Sequence, residues 1–349
     1  MEFNPSSVSK VLVRATNWLG DAVMSLPALR AIRGVFPHAH VAVVARPWVA
    51  ELYARETSVD RTIVYSARGW GEKRRFAVSL RDERFECAIL LQNAFEAAWM
   101  AWTARIPERI GYRRDGRGLL LTSAIPVPEA GEIPRHERFY YLELLRRAGL
   151  MEHFPEVDAI RLAGIETARE AGLHRLAELG IARPAIGISP GAAYGNAKRW
   201  LPERFAETAR KLPGQPLVFG SAAERELCAQ VAEGCGGRNL AGETTLREFV
   251  ELAAACRVFL TNDSGAMHVA SALGVPTVAV FGATDDTTTG PTGSRARVVR
   301  EFAECSPCLL RECPTDHRCM TRVTADRVAA AALELWEESA PAWTHEARS

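Results

Sequence analysis

Ionisable side chains are concentrated in a short turn between a β-rich run and a helix-compatible run. Asn262, Asp263, Ser264 and Gly265 form this turn, and His268 follows about one helical turn into the helix. Because the first N–H groups of a helix lack intrahelical partners and the helix dipole is positive there, the turn suits an anion such as a diphosphate. The competing interpretation is that Asp263 and Ser264 only cap the helix and His268 is a satisfied core histidine.

A second loop has the residue types of a phosphate site. Residues 190–200, P-G-A-A-Y-G-N-A-K-R-W, follow a strand-like run and end in Lys198 and Arg199 before Trp200. The loop is not a Walker loop, because G-x-x-x-x-G-K-[ST] is absent. The first predicted strand leads to a loop with only Gly20 and no G-x-G-x-x-G, which disfavours a nicotinamide or flavin enzyme.

Two basic segments have two interpretations each. The run Lys73-Arg74-Arg75 is most simply a solvated face. Residues 105–117 favour anion binding instead, since arginine pairs recognise phosphate and carboxylate well. The arginines of that segment are Arg105, Arg109, Arg113, Arg114 and Arg117.

Four of the eight cysteines are crowded into one stretch, Cys305-x2-Cys308-x4-Cys313-x5-Cys319. In a reducing compartment such a cluster suggests a structural zinc site, although the spacing is not that of a zinc ribbon. The alternative is reduced or loosely paired cysteines in a surface loop. Neither interpretation makes the cluster catalytic.

Composition narrows the class of protein. The chain has 349 residues, of which 48% are apolar and 24% charged, and its formal net charge is +1, so nothing in the overall charge favours nucleic acid as a partner. The N-terminal residues do not resemble a signal peptide, and the apolar runs are too short to span a bilayer. We therefore expect a cytoplasmic protein whose membrane contact, if any, is peripheral.

Strand-like and helix-compatible segments alternate along the chain, which predicts an α/β fold with parallel sheets. The alternation weakens over residues 126–155, and we predict a domain boundary between about 160 and 183. The expected architecture is two doubly wound, Rossmann-like domains facing across a cleft, at 1–165 and 180–325. The C-terminal helix, about 325–349, is a candidate to pack back on the first domain.

Three blocks, taken together, resemble the bacterial lipopolysaccharide heptosyltransferases, especially the heptosyltransferase II branch. They are N-W-L-G-D-A-V-M-S-L-P-A-L, P-G-A-A-Y-G-N-A-K-R-W, and N-L-A-G-E-T-T-L followed by T-N-D-S-G-A-M-H-V-A. The resemblance implies a GT-B fold with an N-terminal acceptor domain and a C-terminal donor domain. It further implies inverting transfer of L-glycero-D-manno-heptose from ADP-heptose to heptosyl-Kdo-lipid A, an anionic lipopolysaccharide core precursor at the inner membrane surface.

The resemblance also implies roles for individual residues. Asp21 corresponds to the general base, Lys198 to a phosphate-binding lysine, and Asp263 to an acid that contacts the donor through sugar hydroxyls. Thr244 corresponds to a residue near the adenosine. The diphosphate site of the family corresponds to the helix terminus at Ser264, Gly265 and His268. No cofactor and no metal are implied, and the chain has no D-x-D triplet to hold a divalent cation.

Other activities fit the same sequence features. Another core heptosyltransferase, of type I or III, is the nearest alternative within the transferases. A sugar-nucleotide epimerase can share the two-domain architecture and the diphosphate site. A binding protein that transfers nothing is a third possibility, but binding alone does not require Asp21.

Overall fold

The structure is a computed structural model that describes residues 3–339. The chain divides into two compact units, Met1–Val157 and Asp158–Ser349. Each unit contains a six-stranded parallel sheet. The division falls just before the predicted boundary at 160–183.

The sheet of the first unit has the strand order β3-β2-β1-β4-β5-β6. Its strands are β1 (Lys10–Arg14), β2 (His40–Ala45), β3 (Arg61–Val64), β4 (Cys87–Leu90), β5 (Glu108–Tyr112) and β6 (Ser123–Ile125). Its helices are α1 (Leu19–Met24), α2 (Leu26–Val35), α3 (Pro47–Tyr53), α4 (Trp70–Ser79), α5 (Phe95–Thr103) and α6 (Arg138–Arg147), with 3-10 helices at Pro5–Ser7 and Arg117–Leu120.

The sheet of the second unit has the order β12-β11-β10-β7-β8-β9. Its strands are β7 (Ala185–Ser189), β8 (Gln215–Val218), β9 (Arg238–Asn239), β10 (Val258–Asn262), β11 (Thr277–Val280) and β12 (Ala296–Val299). Its helices are α7 (Ile165–Glu178), α8 (Pro202–Arg210), α9 (Arg225–Cys235), α10 (Leu246–Ala254), α11 (Gly265–Ala272), α12 (Asp286–Thr289), α13 (Arg318–Thr321) and α14 (Ala325–Glu338), with 3-10 helices at Asn196–Lys198 and Ala222–Glu224.

Both sheets place their first strand in the middle, and the chain then continues first to one side and later to the other. The central strands β1, β7 and β10 are almost entirely buried, as expected for parallel strands covered by helices on both faces. In such sheets, ligands bind beyond the carboxyl ends of the strands where the winding direction reverses. That point lies between β1 and β4 in the first unit and between β7 and β10 in the second.

The C-terminal helix differs from its predicted placement. Val328, Leu335 and Trp336 of α14 are buried in the core cluster of the second unit, and Arg257 donates a hydrogen bond to the Trp336 carbonyl at 3.1 Å. The apolar face of α14 therefore packs on the sheet of its own unit. The remainder of the predicted helix, residues 340–349, lies outside the described residues.

The arginine-rich segment was expected only as a charged stretch, but it contains strand β5. Ile110 and Tyr112 of this strand are buried, so the apolar residues between the arginines place the strand in the sheet. Of the residues that the structure describes, none belongs to a helix long and apolar enough to cross a bilayer.

Candidate functional site

The loop after β7 and the start of α11 meet at the reversal point of the second sheet. Lys198 lies near the end of the loop after β7, and its Nζ donates to Oδ2 of Asp263 at 2.5 Å. Thr284, which follows β11, donates to the same oxygen at 2.6 Å. The Asp263 carboxylate is buried and Lys198 is partly buried, so the predicted phosphate lysine and the predicted donor-contacting acid form one charged cluster.

Asn262 holds the loop of residues 190–200 at both ends. Its Nδ2 donates to the Pro190 carbonyl at 2.7 Å, and its Oδ1 accepts from the Trp200 backbone N–H at 2.9 Å. Asn262 is completely buried, and a buried amide with both ends bonded fixes its partners in place. The loop that carries Lys198 is therefore attached to the end of β10, directly before Asp263.

The start of α11 has the features expected of an anion site. Ser264 occupies the N-cap position, but its side chain makes no capping hydrogen bond and lies 3.2 Å from Oγ1 of Thr261. The simple capping interpretation of Ser264 is therefore wrong. Gly265 is the first residue of the helix, and the buried His268 lies one turn further along.

Thr244 lies in the loop between β9 and α10, three strands away from Asp263 across the same sheet edge. At about 4.8 Å per strand this corresponds to a lateral distance of about 14 Å. The neighbouring Thr245 caps α10 through a reciprocal pair of bonds with Glu248. Thr244 thus lies at the same edge of the sheet as Asp263 but outside the cluster around Lys198.

Asp21 belongs to the first unit, where it lies half-buried in the first turn of α1. The loop that leads to it is held by Arg14, which is fully buried at the end of β1. The Arg14 guanidinium donates to the Ala15 carbonyl at 2.6 Å and to Asn17 Oδ1 at 3.0 Å. Burial, followed by the charge of Arg46, lowers the pKa of Arg14 to about 10.

A second carboxylate lies within electrostatic range of Asp21. Glu137, at the N-cap of α6, has its pKa raised to about 7, first by burial and then by the negative charge of Asp21, while Arg114 acts in the opposite direction. Glu137 is not among the site residues predicted from the sequence. The only sequence feature that could have pointed to Glu137 is its place directly before an apolar helix. Many carboxylates occupy that place simply because they stabilise the start of a helix.

The arginines of residues 105–117 separate into two groups. Arg109 donates to the carbonyls of Ile106, Pro107 and Leu120, and the fully buried Arg117 donates to the Tyr112 carbonyl at 2.8 Å. These two guanidinium groups hold the backbone of their own unit, so the anion-binding interpretation is wrong for Arg117 and unsupported for Arg109. The exposed members of the segment are Arg105, Arg113 and Arg114.

The cysteine cluster lies in the second unit, between β12 and α13. All four cysteines are free thiols, and Cys319 is buried. Burial, and then the proximity of the other three, raises the pKa of Cys319 to about 11. Within residues 3–339, no group of three or more His, Cys, Asp and Glu side chains has the arrangement of a ready-formed metal site.

Two Rossmann-like six-stranded parallel sheets with flanking helices define the class of GT-B glycosyltransferases. Solved structures confirm this fold. Heptosyltransferase II of Escherichia coli superposes with a TM-score of 0.81 at 31% identity, covering 94% of this chain and 99% of that one. A family 9 glycosyltransferase from Veillonella parvula superposes with a TM-score of 0.82 at 22% identity, covering 96% and 99%.

Sequence comparison gives the family. Residues 73–318 match the model of glycosyltransferase family 9 (heptosyltransferase). Lipopolysaccharide heptosyltransferase 2 of Escherichia coli is 35% identical over 308 residues, which covers 83% of this chain and 88% of the relative. The corresponding protein of Salmonella typhimurium is 34% identical over 307 residues, with the same coverage. The chain belongs to glycosyltransferase family 9, and the family predicted from the three sequence blocks is confirmed.

Proposed function

We propose that this enzyme transfers L-glycero-D-manno-heptose from ADP-heptose to the first heptose of heptosyl-Kdo-lipid A, with inversion at the anomeric carbon. The observation that carries the proposal is the cluster of Lys198, Asp263 and the N-terminus of α11 at the reversal point of the second sheet. The chain that contains this cluster belongs to the heptosyltransferase family. The relatives named lipopolysaccharide heptosyltransferase 2 support the acceptor and the donor sugar.

The donor diphosphate is assigned to the cluster in the second unit. Lys198 supplies a positive charge, while Ser264, Gly265 and His268 surround the N-terminus of α11, where backbone N–H groups and the helix dipole favour an anion. Asp263 is assigned to sugar hydroxyls and Thr244 to the adenosine end. Negative charge develops on the departing ADP during transfer, so groups fixed at its phosphates lower the barrier directly. These residues do so without a metal or another cofactor.

Asp21 is proposed as the general base. Its carboxylate takes the proton of the acceptor hydroxyl while that oxygen bonds to the anomeric carbon of the donor. The bond from the anomeric carbon to the ADP oxygen breaks at the same time, and its electron pair leaves with ADP. Arg14 contributes by fixing Asn17, four residues before Asp21, so that the loop has a defined conformation.

The acceptor is phosphorylated and acidic, and the exposed arginines of the first unit fit it by charge. Arg113 and Arg114 follow the carboxyl end of β5, at the sheet edge where parallel strands bind ligands. Guanidinium groups match phosphate oxygens in geometry as well as in charge. Arg105 is exposed in the turn before β5 and is the weaker candidate by position.

An anionic lipid surface is the proposed location of the acceptor, on the cytoplasmic side of the inner membrane. On the first unit, α4 and α5 expose Trp70 and Trp102, whose side chains are 66% and 53% exposed. Trp70 packs edge-on against Trp99 at 5.5 Å between ring centroids, and exposed Arg74 and Arg75 extend along α4. Exposed tryptophans beside basic residues are typical of surfaces that contact anionic membranes.

The function is tested by supplying ADP-heptose with three acceptors, Kdo-lipid A carrying no heptose, one heptose or two heptoses, and detecting products by mass spectrometry. We expect one heptose to be added to the acceptor that already carries one. Addition only to one of the other two acceptors would reassign the enzyme to a type I or type III reaction. Epimerised donor without any glycolipid product would contradict the transferase proposal.

A further inference from the structure

The loop that connects β12 to α13 gathers half of the cysteines of the chain around one cavity. The cavity has a volume of about 60 Å³, and its lining includes all four thiols of the cluster. The clustered residues are Cys305, Cys308, Cys313 and Cys319. These side chains belong neither to the donor cluster nor to the environment of Asp21, so the proposed transfer reaction does not use them.

Burial of large apolar side chains gives this loop little support. Residues 300–317 contain no helix or strand, and loops of this length without secondary structure are uncommon in compact domains. The large apolar side chains of the loop are Phe302, Leu309 and Leu310, which are 77%, 61% and 45% exposed. Because these side chains remain largely in water, their burial cannot be what holds the loop in one conformation.

The four thiols are the ligand set that a soft metal ion prefers. Four cysteine thiolates give the closed tetrahedral sphere of structural zinc and of mononuclear iron sites. His317 also lines the cavity, but its Nε2 lies 3.0 Å from the Ala197 carbonyl and is occupied by that contact. The thiols line the cavity without forming a ready-made coordination sphere, so binding would draw them inward.

We propose that Cys305, Cys308, Cys313 and Cys319 bind one thiophilic divalent metal ion, Zn²⁺ or Fe²⁺, as a structural site. Each thiol loses its proton on binding and coordinates as thiolate, so the metal replaces up to four protons without any change of oxidation state. The metal acts here as a clamp on the loop and takes no part in glycosyl transfer.

The clamped loop supports the segment that carries Lys198. The Ala197 N–H donates to the Arg311 carbonyl at 3.1 Å, and the Cys313 N–H donates to Asn196 Oδ1 at 3.2 Å. The Tyr194 hydroxyl donates to the Leu309 carbonyl at 2.9 Å. A methyl group at Gly195 would lie 2.1 Å from the Arg311 carbonyl oxygen, so the two segments are in close backbone contact. Metal loss would therefore loosen the Lys198 loop, a consequence that rests on the proposed donor site.

Metal content of the full-length protein tests the site independently of any activity. The protein is purified under reducing conditions without chelator, and zinc and iron are measured by inductively coupled plasma mass spectrometry. We expect about one metal ion per chain. Cys308→Ser should lower the content at least tenfold, whereas Cys235→Ser, a control at a cysteine outside the cluster, should retain it.

Further measurements on the native chain do not depend on folded variants. A mercurial that displaces thiolate ligands should release the metal to a colorimetric indicator, and ADP affinity should then fall about tenfold. Native protein that holds less than about one-tenth of an equivalent, even after anaerobic incubation with Zn²⁺ and with Fe²⁺, would overturn the site, as would an intact mass showing disulfides in the cluster. Metal release without a change in ADP affinity would overturn the link to Lys198 alone.

Discussion

Lys198 and Asp263 form a partly buried ion pair with 2.5 Å between Nζ and Oδ2, and Thr284 donates to the same oxygen. The pair joins the loop after β7 to the loop after β10, the two segments on either side of the reversal point of the sheet. Such a pair holds the lysine in one position before a diphosphate arrives. Preorganised charge of this kind stabilises a departing anion with little rearrangement during the reaction.

Replacing this lysine should damage donor binding. We expect Lys198→Ala to raise the Kd of ADP by about 10-fold to 100-fold, since a charge-assisted contact to phosphate is lost. The variant should also unfold more easily, because the buried Asp263 carboxylate loses its counter-charge. Isothermal titration calorimetry with ADP measures the first effect. Lys211→Ala is the matched control, because Lys211 is also paired with carboxylates but at an exposed position. Equal ADP affinity in the two variants would remove Lys198 from the donor site.

Arg113 is one of the two exposed arginines after β5 that we propose to contact the acceptor. Arg113→Ala should raise the acceptor KM by about tenfold, the effect of losing one phosphate contact, and leave the Kd of ADP unchanged. Initial rates at saturating donor measure the KM. Arg84→Ala, at an exposed arginine outside this segment, should leave both constants unaltered. An acceptor KM in Arg113→Ala equal to that of the native enzyme would exclude Arg113.

Glu137 should make the first unit less stable as the pH rises. Its pKa is raised from 4.5 to about 7 in the folded chain, chiefly by burial and then by Asp21. The folded state therefore holds more protons than the unfolded state between these values, and the stabilising effect of the proton is complete below 4.5 and lost as the pH passes 7. Glu137→Gln should remove this loss and stabilise the unit above pH 7 by at most about 3 kcal/mol.

Thermal unfolding followed by tryptophan fluorescence between pH 5 and pH 8.5 measures the Glu137 effect, and Glu152→Gln, at an exposed glutamate, is the control. Parallel pH profiles for the native protein and Glu137→Gln would show that Glu137 ionises normally. Asp21→Asn should make the loss of stability smaller and end it at lower pH, since the negative charge of Asp21 is one cause of the raised Glu137 pKa.

Membrane contact through α4 and α5 predicts selective binding to anionic vesicles. Native protein should sediment with vesicles that contain anionic lipid and not with purely zwitterionic vesicles, and the bound fraction should fall as salt rises. A Trp70→Ala, Trp102→Ala double variant should sediment several-fold less. Phe302→Ala, at an exposed aromatic residue of the second unit, is the control. Undiminished sedimentation of the double variant would place the contact elsewhere or exclude it.

Regular elements of the fold were predictable where apolar periodicity was uninterrupted. A strand directly precedes the 190–200 loop, the C-terminal helix begins at Ala325, and the turn at Asp263 and Ser264 separates β10 from α11, as the sequence pattern predicted. Strand β5 was missed because its first two residues, Glu108 and Arg109, are charged. Arg109 and the later Arg117 donate to backbone carbonyls that only the folded chain brings near. The periodicity of α14 predicts that one face of the helix is buried. It does not specify the sheet against which that face packs.

The candidate site was predictable as a set of residues but not as a network. Sequence motifs identified Lys198 and Asp263 separately, while their pairing depends on parallel strands bringing two distant loops to one edge. Thr284 was not predicted, and Asn262 was predicted only as a turn residue, because threonine and asparagine after a strand are common in turns. Only the structure shows that Asn262 is buried with both ends of its amide bonded.

The most direct test of the account compares the native enzyme with Asp21→Asn in transfer from ADP-heptose to heptosyl-Kdo-lipid A, with mass-spectrometric detection of product and a parallel measurement of ADP binding. We expect the native enzyme to add one heptose, and the variant to bind ADP normally while its kcat falls by about 10²-fold to 10⁴-fold, as for loss of a general base. Native-like turnover by Asp21→Asn would contradict the assignment of the base, and absence of transfer by the native enzyme would contradict the proposed reaction itself.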